Sequence, residues 1–288
     1  MRLEGKVAIV TGGANGIGRA TVRVVAKEGA DVVIFDIDEP RMAEAVKEVE
    51  GCGRRGVAEL VDTTKWSQVS AAVERAARTF GHIDILACVA GGSGTTPNYM
   101  RHEQDGRYVY PEKGLRQNWT EEIEEEDWDG TIEFNLKAPF LCCKAVIPQM
   151  KRQGKGAIVT FSSIGQEVGS TTSAFAYAAY AASKAGVVGL THQLAKELGP
   201  FGIRANCVCP GGTRNDRLTE RGRQAQALAA QETDESRRPR GLQLGMVNPL
   251  GRASEPEEQA MAVLFLASDE ASYVNGVTLD VNAGTYMK

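Results

Sequence analysis

Short apolar runs alternate with longer amphipathic stretches from one end of the chain to the other. Residues 7–10 are wholly apolar and mostly β-branched, which suits a central parallel strand covered on both faces. Residues 31–36 (Asp-Val-Val-Ile-Phe-Asp) repeat the pattern as a second strand, and 40–49 has helical spacing. Further strands are predicted over 56–61, 83–90, 157–162, 203–208 and 277–281, with helices over 67–80, 122–150, 174–198 and 255–267. Repeated strand–helix units imply an α/β fold, a doubly wound parallel sheet with right-handed crossovers and its ligand at the carboxyl ends of the strands.

Two segments break the alternation. Residues 93–118 are rich in Gly, Pro, Tyr and charge, and 211–248 includes the arginine-dense stretch 235–240. Loops this long within a compact domain are usually functional or disordered. With no repeat and no low-complexity linker, residues 1–288 read as a single domain carrying an active-site insertion at 93–118 and a substrate loop at 211–248.

A content of 42% hydrophobic and 24% charged residues is ordinary for a globular protein. The net charge of −4 and the lack of a basic stripe argue against nucleic acid as a partner. The first strand begins almost at once, leaving no room for a targeting peptide, and no apolar run reaches the length of a membrane span. A cytoplasmic protein without membrane contact is expected. Its six cysteines (Cys52, Cys88, Cys142, Cys143, Cys207, Cys209) form no C-x-x-C pair and read as buried, reduced thiols. His82, His102 and His192 lack the spacing of a zinc site, so no metal is expected. In that compartment the sequon Asn118-Trp119-Thr120 has no meaning, and Thr120 is expected to cap a helix. The acidic run 121–129 fits a helix N-terminus, which favours negative charge.

The most informative chemistry follows the first strand, at Thr11-Gly12-Gly13-Ala14-Asn15-Gly16-Ile17-Gly18. Gly12, Gly16 and Gly18 allow a tight turn, close approach of backbone to phosphate, and tight helix-on-strand packing. The helix that opens there points free N–H groups at an anion. Asp36 ends the second strand, where a carboxylate can grip the adenosine ribose hydroxyls. A 2′-phosphate about 4 Å from that carboxylate is disfavoured by roughly 1–4 kcal/mol. Asn15 offers no cation to hold such a phosphate, so NAD is the expected cofactor. The competing reading makes Asp36 a turn residue ahead of Asp38 and Pro40.

Tyr180-Ala-Ala-Ser183-Lys184 lies within the predicted helix 174–198, placing tyrosine and lysine on one face. Together with the glycine turn and Asp36, this motif resembles the short-chain dehydrogenase/reductase family. The resemblance extends over nearly the whole chain: Asp62 after the third strand, Asn135 in Phe-Asn-Leu-Lys, Ser162-Ser163, Pro210-Gly211, and the stretch from Pro249-Leu-Gly-Arg to Leu264-Phe-Leu-Ala-Ser-Asp. It implies a Rossmann-like sheet, a small-molecule alcohol or ketone as substrate, and a homotetramer. It also implies a catalytic set of Asn135, Ser163, Tyr180 and Lys184. Tyr180 would exchange a proton with the substrate oxygen, Ser163 would hold that oxygen, and the backbone of Asn135 would position a water linking Lys184 to solvent. Lys184 would also hold the nicotinamide ribose. Cofactor contacts would come from Gly12, Asn15, Gly16, Ile17, Gly18, Asp36, Asp62, Thr63, Ala90, Gly91, Tyr180, Lys184, Pro210, Gly211 and Thr213, with Asp62 at the adenine edge.

A free tyrosine titrates near 10, about three units above neutrality and worth about 4 kcal/mol. A lysine cation some 4 Å away supplies roughly that much at surface-like dielectric. Tyr177 competes with Tyr180 on distance from Ser163, but Ala181 stands four residues after it. Of the adjacent serines, the family pattern favours Ser163.

Three positions depart from the family. Val89 stands where an asparagine is usual, so the anchoring of the sheet is altered there. The interval from Ser163 to Tyr180 is longer than usual. Asn215 replaces a common threonine, leaving Thr213 to take over a nicotinamide contact. The interval from Gly91 to Asn135 is about twice the family length, and Tyr99, Tyr108, Tyr110 and Trp119 within it suit the wall of a substrate pocket, with an oligomer contact or a solvated flap as the other readings. The expected activity is NAD-dependent interconversion of a secondary alcohol, cyclic or aromatic, and its ketone. The alternatives are a 3-oxoacyl thioester reductase and an idle dinucleotide-sensing protein.

Overall fold

The computed structural model describes residues 1–92, 101–102, 108–109, 120–168, 177–214 and 248–287. β1 (Val7–Thr11) is buried at every position and runs through the glycine turn into α1 (Gly16–Lys27). Asn15 starts that helix, its side-chain oxygen accepting from the Gly16 N–H at 2.8 Å. β2 (Asp31–Asp36) and α2 (Glu39–Gly51) follow; Asp38 caps α2 by accepting from the Arg41 N–H, and Pro40 in the first turn sacrifices no hydrogen bond. β3 (Gly56–Leu60) leads to α3 (Trp66–Phe80), which Gly81 ends in the left-handed region at φ 81°. After β4 (Ile85–Cys88), β5 (Arg101–His102) and β6 (Tyr108–Val109) pair as a small antiparallel ribbon inside the 93–118 segment. The rest of that segment lies outside the described residues, as do 215–247 of the predicted substrate loop.

The predicted helix 122–150 is two helices, α4 (Glu125–Ile132) and α5 (Ala138–Gln153), joined by a π-helical turn, Glu133–Lys137. Pro139 explains the change. It has no N–H for the carbonyl of Asn135 four residues back, and the ladder widens so that the Ala138 N–H reaches Glu133 O. Thr120 opens a short 3-10 turn instead of capping a helix, and Glu124 holds the cap position of α4. The acidic run does fill a helix start, with Glu125, Glu126 and Asp127 in the first turn.

β7 (Gly156–Phe161), α6 (Gly165–Val168), α7 (Tyr177–Leu198), β8 (Ile203–Pro210), α8 (Pro256–Ala267) and β9 (Thr278–Val281) complete the order. Seven parallel strands form one sheet in the order β3-β2-β1-β4-β7-β8-β9. Alternate residues of each strand serve opposite faces. Ala8, Val10, Ile34 and Ile85 pack with α1, α2 and α8 through Val25, Met42 and Leu264. Ile9, Val33, Phe35 and Leu86 pack with α3, α5 and α7 through Val69, Val146 and Leu198. Each fully buried aliphatic or aromatic side chain contributes about 1.5–3 kcal/mol, so this two-faced core fixes the strand ends rigidly.

Strand order reverses between β1 and β4, since β2 and β3 extend one way and β7 to β9 the other. A crevice therefore opens beyond the carboxyl ends of those two strands, the usual ligand position in such sheets.

Candidate active site

The glycine turn forms one wall of that crevice. The Gly12 N–H donates to Phe35 O at 2.8 Å, tying the turn to β2. A Cβ on Gly12 would sit 2.9 Å from the Ala90 Cα, and one on Gly18 only 1.9 Å from the Gly12 carbonyl oxygen. Gly16, at φ 53°, faces open space. Missing side chains thus let the turn pack tightly while keeping the start of α1 accessible, which fits a pyrophosphate on the helix N-terminus. Gly18→Ala should raise the dissociation constant for NADH at least tenfold and lower the melting temperature, read by fluorescence titration and calorimetry. Unaltered binding would mean that this turn does not hold the dinucleotide.

At the end of β2, the structure shows the turn role of Asp36. Its carboxylate accepts N–H groups from Ala14 at 3.0 Å, Ile37 at 2.7 Å and Asp38 at 3.1 Å, so it does organise a turn. Burial pushes its pKa up, and those three donors pull it back. The Val61 N–H donates to Asp36 O, setting Asp62 and the buried Thr63 alongside. Asp62 is fixed by Thr64, whose N–H and hydroxyl both donate to its carboxylate, at 2.9 and 2.7 Å.

Past β4, the anchoring that Val89 cannot provide comes from two other side chains. Thr11 Oγ1 accepts the Ala90 N–H at 3.0 Å. Asn135 brackets Gly92, accepting its N–H at 2.9 Å and donating to its carbonyl at 3.1 Å. A second donation, to Thr131 O at 3.1 Å, fixes the amide orientation. The sequence reading gave Asn135 a backbone role only, and this side-chain bracket was missed. The signal available was the lost asparagine at position 89, which demanded a replacement. Gly91 lies between the two groups: a Cβ there would meet Asn135 Oδ1 and Lys184 Nζ, each at 3.0 Å.

Lys184 is 4% exposed, and its ammonium donates to Phe161 O at 3.0 Å. Burial lowers its pKa to about 8. It lies 5.7 Å from the centre of the Tyr180 ring, one helical turn earlier on α7. The two serines separate cleanly. Ser162 is 3% exposed and its hydroxyl turns to Val208 O, whereas Ser163 is half-buried and its Oγ accepts from the Gly165 N–H at 3.1 Å. Residues 169–176, between α6 and α7 within the lengthened Ser163–Tyr180 interval, lie outside the described residues. β8 delivers Pro210 and Gly211 to the same rim; the Ile164 N–H donates to Pro210 O, and the Gly211 N–H to Val281 O. Thr213 follows, nearly buried at 6%, while Asn215 lies outside the described residues.

All six cysteines are free, five of them buried and Cys52 half-buried. Contacts with the Cys142 and Cys143 thiols raise the Cys88 pKa, and burial pushes Cys209 up to about 12, so both are protonated, unreactive thiols. Among the described residues, no cluster of three His, Cys, Asp or Glu suits a metal, and no helix is long and apolar enough to cross a membrane.

A reversed strand order with a glycine turn at a helix N-terminus on one side and a tyrosine–lysine pair on the other is the architecture of a nicotinamide-dependent α/β oxidoreductase. The chain belongs to the short chain dehydrogenase family, whose model matches residues 6–226. It is 37% identical over 287 residues to a 3-oxoacyl-(acyl-carrier-protein) reductase of Thermotoga maritima, covering 99% of each chain. It is 36% identical to a D-threitol dehydrogenase of Mycolicibacterium smegmatis, covering 100% of this chain and 95% of that one. Among solved structures, an NAD-bound carveol dehydrogenase from Mycobacterium avium superposes with a TM-score of 0.81 at 29% identity, covering 100% of this chain and 99% of that one.

Proposed function

We propose that this protein is an NAD-dependent dehydrogenase that interconverts a secondary alcohol and its ketone. The observation that carries the reading is the Tyr180 ring 5.7 Å from a buried lysine cation that donates to Phe161 O, two residues before Ser163. A bound nicotinamide would supply the hydride acceptor in oxidation and the hydride donor in reduction. In the oxidative direction the Tyr180 oxygen takes the hydroxyl proton of the substrate, and in reduction it gives the proton back. The positive charge of Lys184 favours the tyrosinate, lowering the cost of that transfer. Ser163 donates its hydroxyl to the substrate oxygen and holds it against Tyr180. Asn135, by clamping Gly92, keeps the floor of the site in register with Lys184.

The cofactor preference rests on Asp36. Asp36→Ser should weaken NAD modestly and improve NADP, moving the ratio of their kcat/KM values at least about fivefold towards NADP, in line with the roughly 1–4 kcal/mol of repulsion removed. A ratio that does not move assigns the preference to another residue.

A cyclic or aromatic alcohol is the proposed substrate class, supported by Tyr99, Tyr108, Tyr110 and Trp119 in the interval from Gly91 to Asn135. A homotetramer working in the cytoplasm completes the reading. Exposed Trp128 and Phe140 on the α4–α5 surface are side chains that a subunit contact covers, and the six free thiols suit a reducing compartment. The resemblance to the Thermotoga maritima reductase favours a second reading, reduction of a 3-oxoacyl thioester. NADH absorbance across a panel of secondary alcohols, with the reverse reaction on ketones and a 3-oxoacyl thioester, separates the two. Turnover confined to the thioester with NADPH would replace the first reading by the second.

A further inference from the structure

We propose that Gln259 and Ser254 are positioning residues that set the direction of the Thr213 hydroxyl, so that it donates its proton to the carbonyl oxygen of the nicotinamide carboxamide. The proposal rests on the reading of Thr213 as a nicotinamide contact. The supporting pattern is a chain of hydrogen bonds whose polarity is fixed at one end.

Gln259 on α8 is completely buried. Its Nε2 donates to Val281 O at 3.0 Å and to Ser254 Oγ at 2.9 Å. A backbone carbonyl can only accept, so Val281 O decides which end of the amide is nitrogen. Val281 O also accepts the Gly211 N–H, so the end of β9, the exit of β8 and Gln259 meet at one atom. Ser254 Oγ, having accepted from the amide, has one proton left to give. Its nearest acceptor is Thr213 Oγ1 at 2.9 Å, ahead of Gly212 O at 3.4 Å. Thr213 Oγ1 therefore receives, and its own proton remains for donation. The described alternative for that proton is Gly211 O at 3.3 Å, beyond the usual range for a hydroxyl donor.

The backbone holds this chain in place. Residues 213 and 254 form a parallel bridge, with the Ser254 N–H on Gly212 O at 2.9 Å and the Arg214 N–H on Ser254 O at 2.8 Å. Gln259 Oε1 is buried with no hydrogen-bond partner among the described residues. An orphaned amide oxygen costs about 1–3 kcal/mol, which an apolar residue at this position would not incur. A purely structural role is thus the poorer explanation for glutamine here.

The test measures binding alone, by calorimetry, of three probes: NAD, its 3-acetylpyridine analogue and ADP-ribose. The analogue keeps the carbonyl oxygen and lacks the amide N–H groups, and ADP-ribose lacks the ring altogether. Ser254→Ala should weaken NAD and the analogue equally, about fivefold, and leave ADP-ribose unchanged. Ser254→Thr, which keeps the hydroxyl, should restore both. Weakening of NAD but not of the analogue would overturn the proposal by making Thr213 an acceptor. Unchanged binding of both dinucleotides would overturn the relay. Thr213→Val separates the two levels. If it weakens NAD while Ser254→Ala does not, the relay fails and the nicotinamide contact stands; if it alters neither dinucleotide, the contact itself is lost and the relay with it.

Discussion

Tyr180→Phe should lower turnover at least a hundredfold while leaving NADH affinity within a few-fold of the unmodified enzyme. The substitution removes one hydroxyl and keeps the ring, so the packing of α7 and the 5.7 Å approach of Lys184 to the ring centre persist. The glycine turn, Asp36 and Lys184, which carry the proposed cofactor contacts, are untouched. A positioned acid–base group contributes about 10²–10⁴-fold to rate, so the loss should fall in kcat far more than in cofactor binding. The measurement is steady-state kinetics on an accepted alcohol beside fluorescence titration of NADH. Retention of more than about a tenth of the original turnover removes Tyr180 from proton transfer. A parallel collapse of NADH binding would instead show that the hydroxyl organises the cofactor pocket.

What the sequence made legible was local. The run from Val7 to Val10 reads as a doubly covered strand because every position is apolar, and the observed strand, one residue longer, is buried throughout. The glycine turn reads correctly because steric demand there is absolute, as the 1.9 Å approach at Gly18 shows. Tyr180 and Lys184 are recognisable because helical spacing alone brings them to one face. The features that escaped depend on partners far apart in the chain. Thr11 holding Ala90, and Asn135 clamping Gly92, are contacts across 79 and 43 positions that no periodicity announces. The Thr213–Ser254 pair spans 41 positions and bridges the two ends of the 215–247 segment. The π turn had a local signal in Pro139, but apolar periodicity on both sides of it concealed the break. Asp36 shows a further limit: in the sequence, ribose contact and turn residue are rival readings, yet a carboxylate that accepts three backbone N–H groups keeps an acceptor site to spare.

Lys184→Met should separate catalysis from stability, because the two make opposite demands on this side chain. For the chemistry a cation beside Tyr180 is favourable, and its removal restores most of the cost of ionising a tyrosine near neutrality, so turnover should fall at least a hundredfold. For the fold, a buried ammonium is a burden. Its pKa is lowered from 10.5 to about 8 by burial, so the unfolded chain binds the proton more tightly than the native protein does. Between those two values the unfolded state carries more protons, and this lysine makes native stability rise with pH. Below about pH 8 both states are protonated and the full cost applies, roughly 3 kcal/mol by the size of the shift. Above about pH 10.5 both are neutral and the cost disappears. Methionine fills similar volume without the charge, and the bond it forfeits, to Phe161 O, is worth about 1.5–3 kcal/mol, no more than the burial cost it removes. Urea unfolding of both proteins without cofactor should therefore find Lys184→Met at least as stable as the original at pH 7, with that advantage shrinking or reversing by pH 10. A variant less stable at pH 7, with a gap that does not change with pH, would show that Lys184 titrates in the native protein as it does in the unfolded chain, its charge solvated or paired, and would remove the burial cost from this account.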